Sequence, residues 1–219
     1  SEITSYNNYY EFSTDKKAVR ILARELSVAP WTVTVEGEVE KPYTLDVDDL
    51  RKLFPIEERI YRLRCVEGWA MVIPWGGFSL CRLIERARPL SRAKFVEFVS
   101  LKRPSEMIGQ RSAGLPWPYR EALRIDEAMH PLAFAVTGLY GQALPKQNGA
   151  PLRIAVPWKY GFKNPKTITH IRLTSERPAT SWNLAAPSEY GFHGNVNPDV
   201  PHPRWSQRRE NRIGEARKR

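Results

Sequence analysis

Proline sets the first limit on this sequence: 18 of its 219 residues are Pro. Inside a helix Pro removes a backbone hydrogen bond and clashes with the preceding turn, and inside a central strand it removes a ladder bond. At this frequency the chain must consist of short elements joined by many loops, with few long helices. It is still long enough to bury a sizeable core. Its 42% hydrophobic and 26% charged residues match the globular norm, which rules out disorder as the dominant state. No apolar run approaches the roughly 18 residues of a membrane span, so no span of its own is expected.

Between the prolines the apolar pattern resolves short elements. Residues 31–40 alternate, with Trp31, Val33 and Val35 on one face, as a half-buried strand does. Asp46 is placed to cap a short helix bearing Val47, Leu50 and Leu53, which Pro55 stops. Residues 60–65 alternate again, with Tyr61, Leu63 and Cys65 sharing a face and Arg62 and Arg64 opposite. Ser79 is placed to cap a second helix carrying Leu80, Leu83, Ile84 and Ala87, stopped by Pro89. Strands are expected at 94–101, 132–137, 152–156 and 167–173, one helical turn at 125–130, and a long loop at 102–120. From residue 177 there is no periodicity. An aromatic-rich coil of that length either packs over a site or wraps the domain. With no repeats and no linker, the expectation is one mixed α+β domain, rich in loops, over 1–203, followed by a basic segment, 204–219.

Lys and Arg number 34 against 24 Asp and Glu, a net +10. Residues 204–219 hold seven of the basic and two of the acidic residues, so half the surplus sits at the end. Such a segment either binds a polyanion or is a solvated, mobile end, and the solvated end is the expectation. The chain starts at Ser1 without Met or an apolar stretch, which fits a processed or trimmed terminus.

Two residue groups could carry chemistry. Cys65 ends a strand and opens Cys65-Val66-Glu67-Gly68-Trp69, where Gly68 permits a turn. It is either a small buried apolar residue or a reactive group presented at a strand end. Cys81 lies beside the apolar stripe of the second helix, and a disulfide between the two stays open. No Cys/His cluster suggests structural zinc. The second group is cationic: Arg153, Lys159, Lys163 and Lys166, interleaved with Gly149 and Gly161, suit either a phosphate or a solvated basic hairpin.

Four segments in order resemble one family: Asn7-Asn8-Tyr9-Tyr10-Glu11-Phe12, Arg62-Leu63-Arg64-Cys65-Val66-Glu67, Gln147-Asn148-Gly149-Ala150-Pro151-Leu152-Arg153 and Val156-Pro157-Trp158-Lys159-Tyr160-Gly161-Phe162-Lys163. Trp182-Asn183-Leu184-Ala185-Ala186-Pro187 and His202-Pro203-Arg204-Trp205-Ser206-Gln207 extend the match to nearly the whole chain. They are similar to the catalytic subunits of periplasmic protein-methionine-sulfoxide reductases, molybdenum enzymes of the sulfite oxidase superfamily. The resemblance implies the molybdopterin-binding fold of that superfamily, and a molybdenum held by a pterin dithiolene and by the thiolate of Cys65. It implies pterin contacts from Asn7, Tyr10, Glu11, Ser100, Asn148, Arg153, Asn164, Pro165 and Lys166, with Arg153 and Lys166 on the phosphate and Glu67 near the metal. Ser100 stands where Thr is common, and Asn164 where relatives have Gly. The family continues past the point where this chain stops in Arg217-Lys218-Arg219.

The implied activity is reduction of methionine sulfoxide in oxidised periplasmic proteins, fed by a membrane-embedded haem-containing subunit, without nucleic acid. One alternative is sulfite-oxidase-like oxidation of a small anion. Another is a non-catalytic basic module for a polyanion. Against sulfite, the stretch after Cys65 carries one charge, the acidic Glu67, which would repel an anion and could serve a proton. Trp69 and Trp75 could offer an apolar wall to a methyl-sulfoxide side chain, with core packing the expected role for at least one of them.

Overall fold

A computed structural model describes residues 2–214. The first helix, α1, is a single turn at Val19–Leu22, and β1 follows at Thr32–Gly37. In β1, Val33 and Val35 are buried while their neighbours are not, as the alternation predicts. β2 (Tyr43–Asp46) folds back on β1 antiparallel. Asp46 then caps α2 (Val47–Leu53), its carboxylate accepting from the Asp48 N–H at 2.8 Å. β3 (Glu57–Arg64) and β4 (Trp69–Ser79) form a long antiparallel hairpin, and α3 spans Cys81–Ala87. The remaining elements are β5 (Phe95–Ser100), β6 (Arg120–Arg124), α4 (Ile125–Ala128), β7 (Phe134–Leu139), β8 (Gln142–Ala143), β9 (Arg153–Ala155), β10 (Ile168–Thr174), α5 (Ser181–Ala185) and β11 (Asn211–Arg212).

Two sheets carry the fold. One has the order β2-β1-β10-β5-β6, with β1 and β10 parallel and the other pairs antiparallel. The other runs β11-β4-β7-β8, with β3 on β4 and β9 on β7. The main core fills the space between the sheets. It joins Val33 and Val35 of β1, Phe98 of β5, Ile171 of β10, Ala135 of β7 and Ile154 of β9 to Leu83 and Ile84 of α3. Because side chains alternate along a strand, Phe134 and Val136 of β7 face the other way. There they join Leu63, Met71, Ile73 and Trp75 in a second cluster on the far side of the second sheet.

Several expectations are corrected. Ser79 ends β4 and caps nothing; Leu80 precedes α3, and the Ser79 hydroxyl lies 3.2 Å from Cys81 Sγ. The strand expected at 132–137 begins at Phe134, after an exposed Leu132. Residues 69–79, assigned no element, form the longest strand, and the tail of the expected long loop turns into β6. The terminal segment is not a solvated end over its described part: Gln207 and Glu210 are buried and β11 pairs with β4. Residues 215–219, with the final Arg217-Lys218-Arg219, lie outside the described residues. Both cysteines are free.

The chain passes from β9 to β10, from one sheet to the other, through residues 156–167. Two buried lysines pin this passage. Lys163 Nζ donates to the Glu121 carboxylate of β6 and to Ala122 O at 2.6 Å. Lys159 Nζ donates to the Glu127 carboxylate of α4, to His193 O at 2.7 Å and to Asn195 Oδ1 at 2.8 Å. Neither belongs to a phosphate cluster, contrary to expectation; both are committed to structural ion pairs. Burial pushes the Glu121 carboxyl up, and Lys163 pulls against it. Lys163→Met leaves that carboxylate buried and unpaired, and is expected to lower unfolding free energy by about 3 kcal/mol. Urea unfolding measures this, and a wild-type midpoint would refute the assignment.

Candidate molybdopterin site

β3 ends at Arg64 and the chain turns over 65–68 into β4. Cys65 N–H donates to Trp69 O at 2.7 Å, Gly68 N–H to Cys65 O at 3.1 Å, and Gly68 adopts φ +85°, where a side chain is strained. The turn aims Cys65 Sγ into a cavity with about 1070 Å³ of empty space, counted out to its open mouth. Leu63, Met71, Ile73 and Trp75 of the hairpin form an apolar wall, and Tyr6, Asn7, Asn8, Tyr10 and Glu11 of the N-terminal segment form a largely polar one. Sγ accepts from Asn8 Nδ2 at 3.4 Å and from the Glu67 N–H at 3.5 Å. Burial first, and the Glu67 charge second, push the thiol up to about 12.

At the mouth, three donors converge on Glu67 Oε2: Trp69 Nε1 at 3.0 Å, Asn8 Nδ2 at 3.1 Å and Lys16 Nζ at 3.1 Å. Burial alone would raise the carboxyl, but these hydrogen bonds and the Lys16 charge hold it below the ordinary carboxylate value. Glu67 is therefore an ionised acceptor near neutral pH, which disfavours the proton-donor role expected for it. No sequence signal pointed to Lys16, which is brought to Glu67 only by the fold.

Another part of the cavity is cationic. Arg153, at the start of β9, lies with its guanidinium 4.7 Å above the Trp75 ring, and its Nη1 donates to Asn148 O at 2.9 Å. Lys166 stands beside it. Gly149, at φ +101°, lets them converge: a Cβ there would sit 2.8 Å from Lys166 Cβ and 3.3 Å from Arg153 Cβ. Burial pulls Arg153 down to about 10, and burial with the Arg153 charge pulls Lys166 down to about 8. Burial raises the Glu11 carboxyl to about 7 against the pull of Lys166. The two buried cations share one nearby carboxyl, Glu11, which burial leaves only partly ionised near neutral pH. Beside them the side-chain oxygens of Asn7, Asn8 and Asn148 and the Arg153 Nε are buried without partners. The two cations and Arg153 Nε suit an anionic group, while the unpartnered amide oxygens suit N–H donors; a pterin ring bearing a phosphate offers both. Among the described residues no cluster of three or more His, Cys, Asp or Glu could cage a metal. A metal at Cys65 must therefore bring most of its ligands with it, as a metal bound to a pterin dithiolene does, and a soft thiolate suits it.

Of the expected site residues, Asn7, Tyr10, Glu11, Cys65, Glu67, Asn148, Arg153 and Lys166 line this cavity. Ser100, Asn164 and Pro165 are not among its lining residues. Ser100 Oγ instead donates to Lys166 O at 2.7 Å. Asn164 spends its amide on Tyr160 O and the Val156 N–H, and its own N–H on Gly161 O, so it offers no backbone donor to the cavity. Pro165 O accepts from Ile154 N–H at 3.0 Å. These three brace the loop that presents Lys166. Trp182 and Tyr190 of the coil beyond 177 also line the cavity, packed at 4.6 Å between ring centres, with Tyr10 edge-on to Trp182. Of the two tryptophans expected as an apolar wall, Trp75 is fully buried beneath Arg153 and Trp69 stands at the mouth.

A family model described as an oxidoreductase molybdopterin-binding domain matches residues 21–182. The chain belongs to that family. Two curated relatives, each named protein-methionine-sulfoxide reductase catalytic subunit, come from Ralstonia nicotianae and Burkholderia mallei. Each is 59% identical over 98% of this chain, which spans 65% of the relative's length. Among solved structures, the sulfane dehydrogenase SoxCD of Paracoccus pantotrophus shares the fold. Its TM-score is 0.59 at 18% identity, over 84% of this chain and 47% of that one. The mixed α+β molybdopterin-binding fold expected from the resemblance is thus the fold found.

Lys16→Met should raise the Glu67 carboxyl pKa, because burial then acts against fewer donors. Carbon-13 NMR of glutamate-labelled protein reads this directly; an unmoved or lower titration would show that Lys16 does not set the charge at the mouth.

Proposed function

We propose that this chain reduces methionine sulfoxide in oxidised proteins with a molybdenum–molybdopterin cofactor, in the periplasm. Its electrons would come from a membrane-embedded haem-containing subunit. The observation that carries the reading is the joint placement of one cavity-facing thiol, Cys65, and a buried cation pair, Arg153 and Lys166. The two relatives at 59% identity support the choice of reaction. Among the described residues no helix is long and apolar enough to cross a membrane, so the membrane step is assigned to the partner.

In this reading Cys65 is the protein's thiolate on the metal. Arg153 and Lys166 would hold the pterin phosphate, while the cavity-lining Asn7 and Asn148 amides, the Glu11 carboxyl and the Tyr10 hydroxyl would hold the ring system. Ser100, Asn164 and Pro165 act from behind by fixing Lys166. When bound, the molybdenum supplies the two-electron oxygen-atom acceptor that the side chains lack. The net reaction consumes two electrons and two protons and returns a thioether and water.

The chain's own part at the mouth is to admit a neutral group. Lys16 and Glu67 neutralise each other there, and Tyr10, Trp69, Trp182 and Tyr190 supply aromatic surface for an S-methyl side chain. A sulfite dianion needs converging positive charge to offset its desolvation. The cations that could provide it, Arg153 and Lys166, are assigned to the phosphate.

Purified protein should contain about one molybdenum per chain, and should reduce an oxidised protein with a reduced viologen dye more efficiently than it oxidises sulfite. Molybdenum-free protein, or the reverse preference, would overturn the reading. Cys65→Ser should abolish turnover, since a hydroxyl cannot replace a soft thiolate ligand. Cys81→Ser should stay close to wild type, because Cys81 does not line the cavity and its Sγ lies against the Ser79 hydroxyl.

Arg153→Ala should leave the fold intact but lower molybdopterin content, since it removes a buried guanidinium aimed at the phosphate. Full pterin content in the folded variant would reassign Arg153.

A further inference from the structure

The turn that presents Cys65 is held from behind by the terminal segment. Val66 O accepts from Trp205 Nε1 at 2.8 Å and from Gln207 Nε2 at 2.6 Å. Gly68 O accepts from Asn211 N–H at 2.8 Å, and Ile213 N–H donates to Ala70 O at 2.9 Å as β11 lies along β4. Arg64, the residue before Cys65, is 5% exposed and turns its guanidinium the same way. It donates to Gln207 Oε1 at 2.9 Å and to Gln207 O at 3.0 Å, and pairs with Glu210 at 3.2 Å. The strap then continues to the opposite wall of the cavity. Trp205 stacks on His202 at 3.6 Å, and His202 and Arg204 both reach Glu189, next to the cavity-lining Tyr190.

Gln207 sits at the centre of this clamp. It is 2% exposed, and its amide bridges both sides of Cys65: the oxygen takes Arg64 before it, the nitrogen gives to Val66 after it. A chain pinned at residues 64, 66 and 68 leaves the Cys65 Cα little freedom. The strap holds the turn with buried and half-buried hydrogen bonds to Arg64 and Val66, which is more than a surface tail needs for packing.

We infer that Gln207 and Arg64 are positioning residues for Cys65, and that the strap 202–213 sets the geometry in which the thiolate meets its metal. The inference rests on the proposed function for the metal, but the clamp on the turn is a property of the chain alone. Groups that orient a metal ligand tune the metal even when they never touch it, and their loss costs on the order of tenfold or more in affinity or rate.

The test compares wild-type full-length chain with Gln207→Ala, both prepared with cofactor. Three quantities are read: amide exchange over 65–70, the electron paramagnetic resonance signal of the molybdenum, and steady-state turnover. The expected result is faster exchange of the Cys65 and Gly68 amides, a shifted molybdenum signal, and kcat lower by roughly tenfold at nearly unchanged KM. Faster exchange with an unshifted signal and wild-type kcat would mean a merely structural strap and overturn the inference, as would unchanged exchange. If Gln207→Ala does not fold, Trp205→Phe is measured instead. It removes one of the two donors to Val66 O and keeps the ring on His202; wild-type exchange and signal there would overturn the inference. Wild-type protein without molybdenum would defeat the proposed function but leave amide exchange to decide the clamp, faster exchange supporting it and unchanged exchange refuting it.

Discussion

The crossing between the two sheets is the constraint on which the rest depends. Residues 156–167 must leave β9 in one sheet and enter β10 in the other with only a single 3-10 turn, Gly161–Lys163, of regular hydrogen bonding of their own. A passage of that kind is stable only if its polar groups find partners inside the protein. Lys159 and Lys163 supply them by reaching Glu127 on α4 and Glu121 on β6. Buried ion pairs contribute little net stability compared with apolar packing, but breaking one strands a charge. Here they fix a path, and that path ends at Lys166. The lysines closest in sequence to the cavity are thus divided into two that build the loop and one that the loop presents.

The same division of labour runs through the site. Arg153 enters the cavity from the first residue of β9, and Lys166 from the loop's far end, so the two cations are neighbours only because Gly149 has no side chain between them. Cys65 arrives from a different place, the β3–β4 turn, and the mouth is closed by the N-terminal segment and by aromatics from beyond residue 177. No single segment of the chain makes the site. Its precision is that of the contacts between segments, such as the Asn148 and Asn7 amides that both donate to Ile3 O.

Much of this was legible in the sequence where local physics decides. The alternation of Val33 and Val35 and the cap at Asp46 were read correctly because each depends on a few adjacent residues. β4 escaped because its outward face carries an apolar Val72, exposed, and then Pro74 and Gly76, so although burial alternates over 71–77 the composition does not mark a strand. The strap escaped for a different reason. Its order comes from side chains such as Trp205 and Gln207 bonding to distant backbone, which leaves no period to read and makes Arg-rich sequence resemble a solvated end. Cys65 and Arg153 stand out from the residues themselves, and the resemblance supplies their roles, whereas Lys16 had no sequence mark at all. Lys159 and Lys163 show the limit of reading charge by proximity: clustered in sequence with Lys166, they face away from it into acidic partners.

The burial of Cys65 carries the last step of the argument. Burial first, and the Glu67 charge second, hold the thiol well above its ordinary value, so it is almost wholly protonated at pH 7 and forming the free thiolate there is costly. The surroundings do what hydrogen bonds can: Asn8 and the Glu67 N–H point at Sγ, and Lys16 lies near. Their pull is outweighed first by burial and then by the charge of Glu67, with which Lys16 is paired. A redox thiol acting by itself needs the reverse arrangement, an electropositive, accessible position that lowers its pKa. Cys65 is therefore poorly built to attack a sulfoxide directly. A multivalent metal cation bonded to the sulfur offsets that cost, since a coordinating thiol is deprotonated outright. The environment that makes the free thiol inert is the one in which a metal–sulfur bond is the favourable way to ionise it.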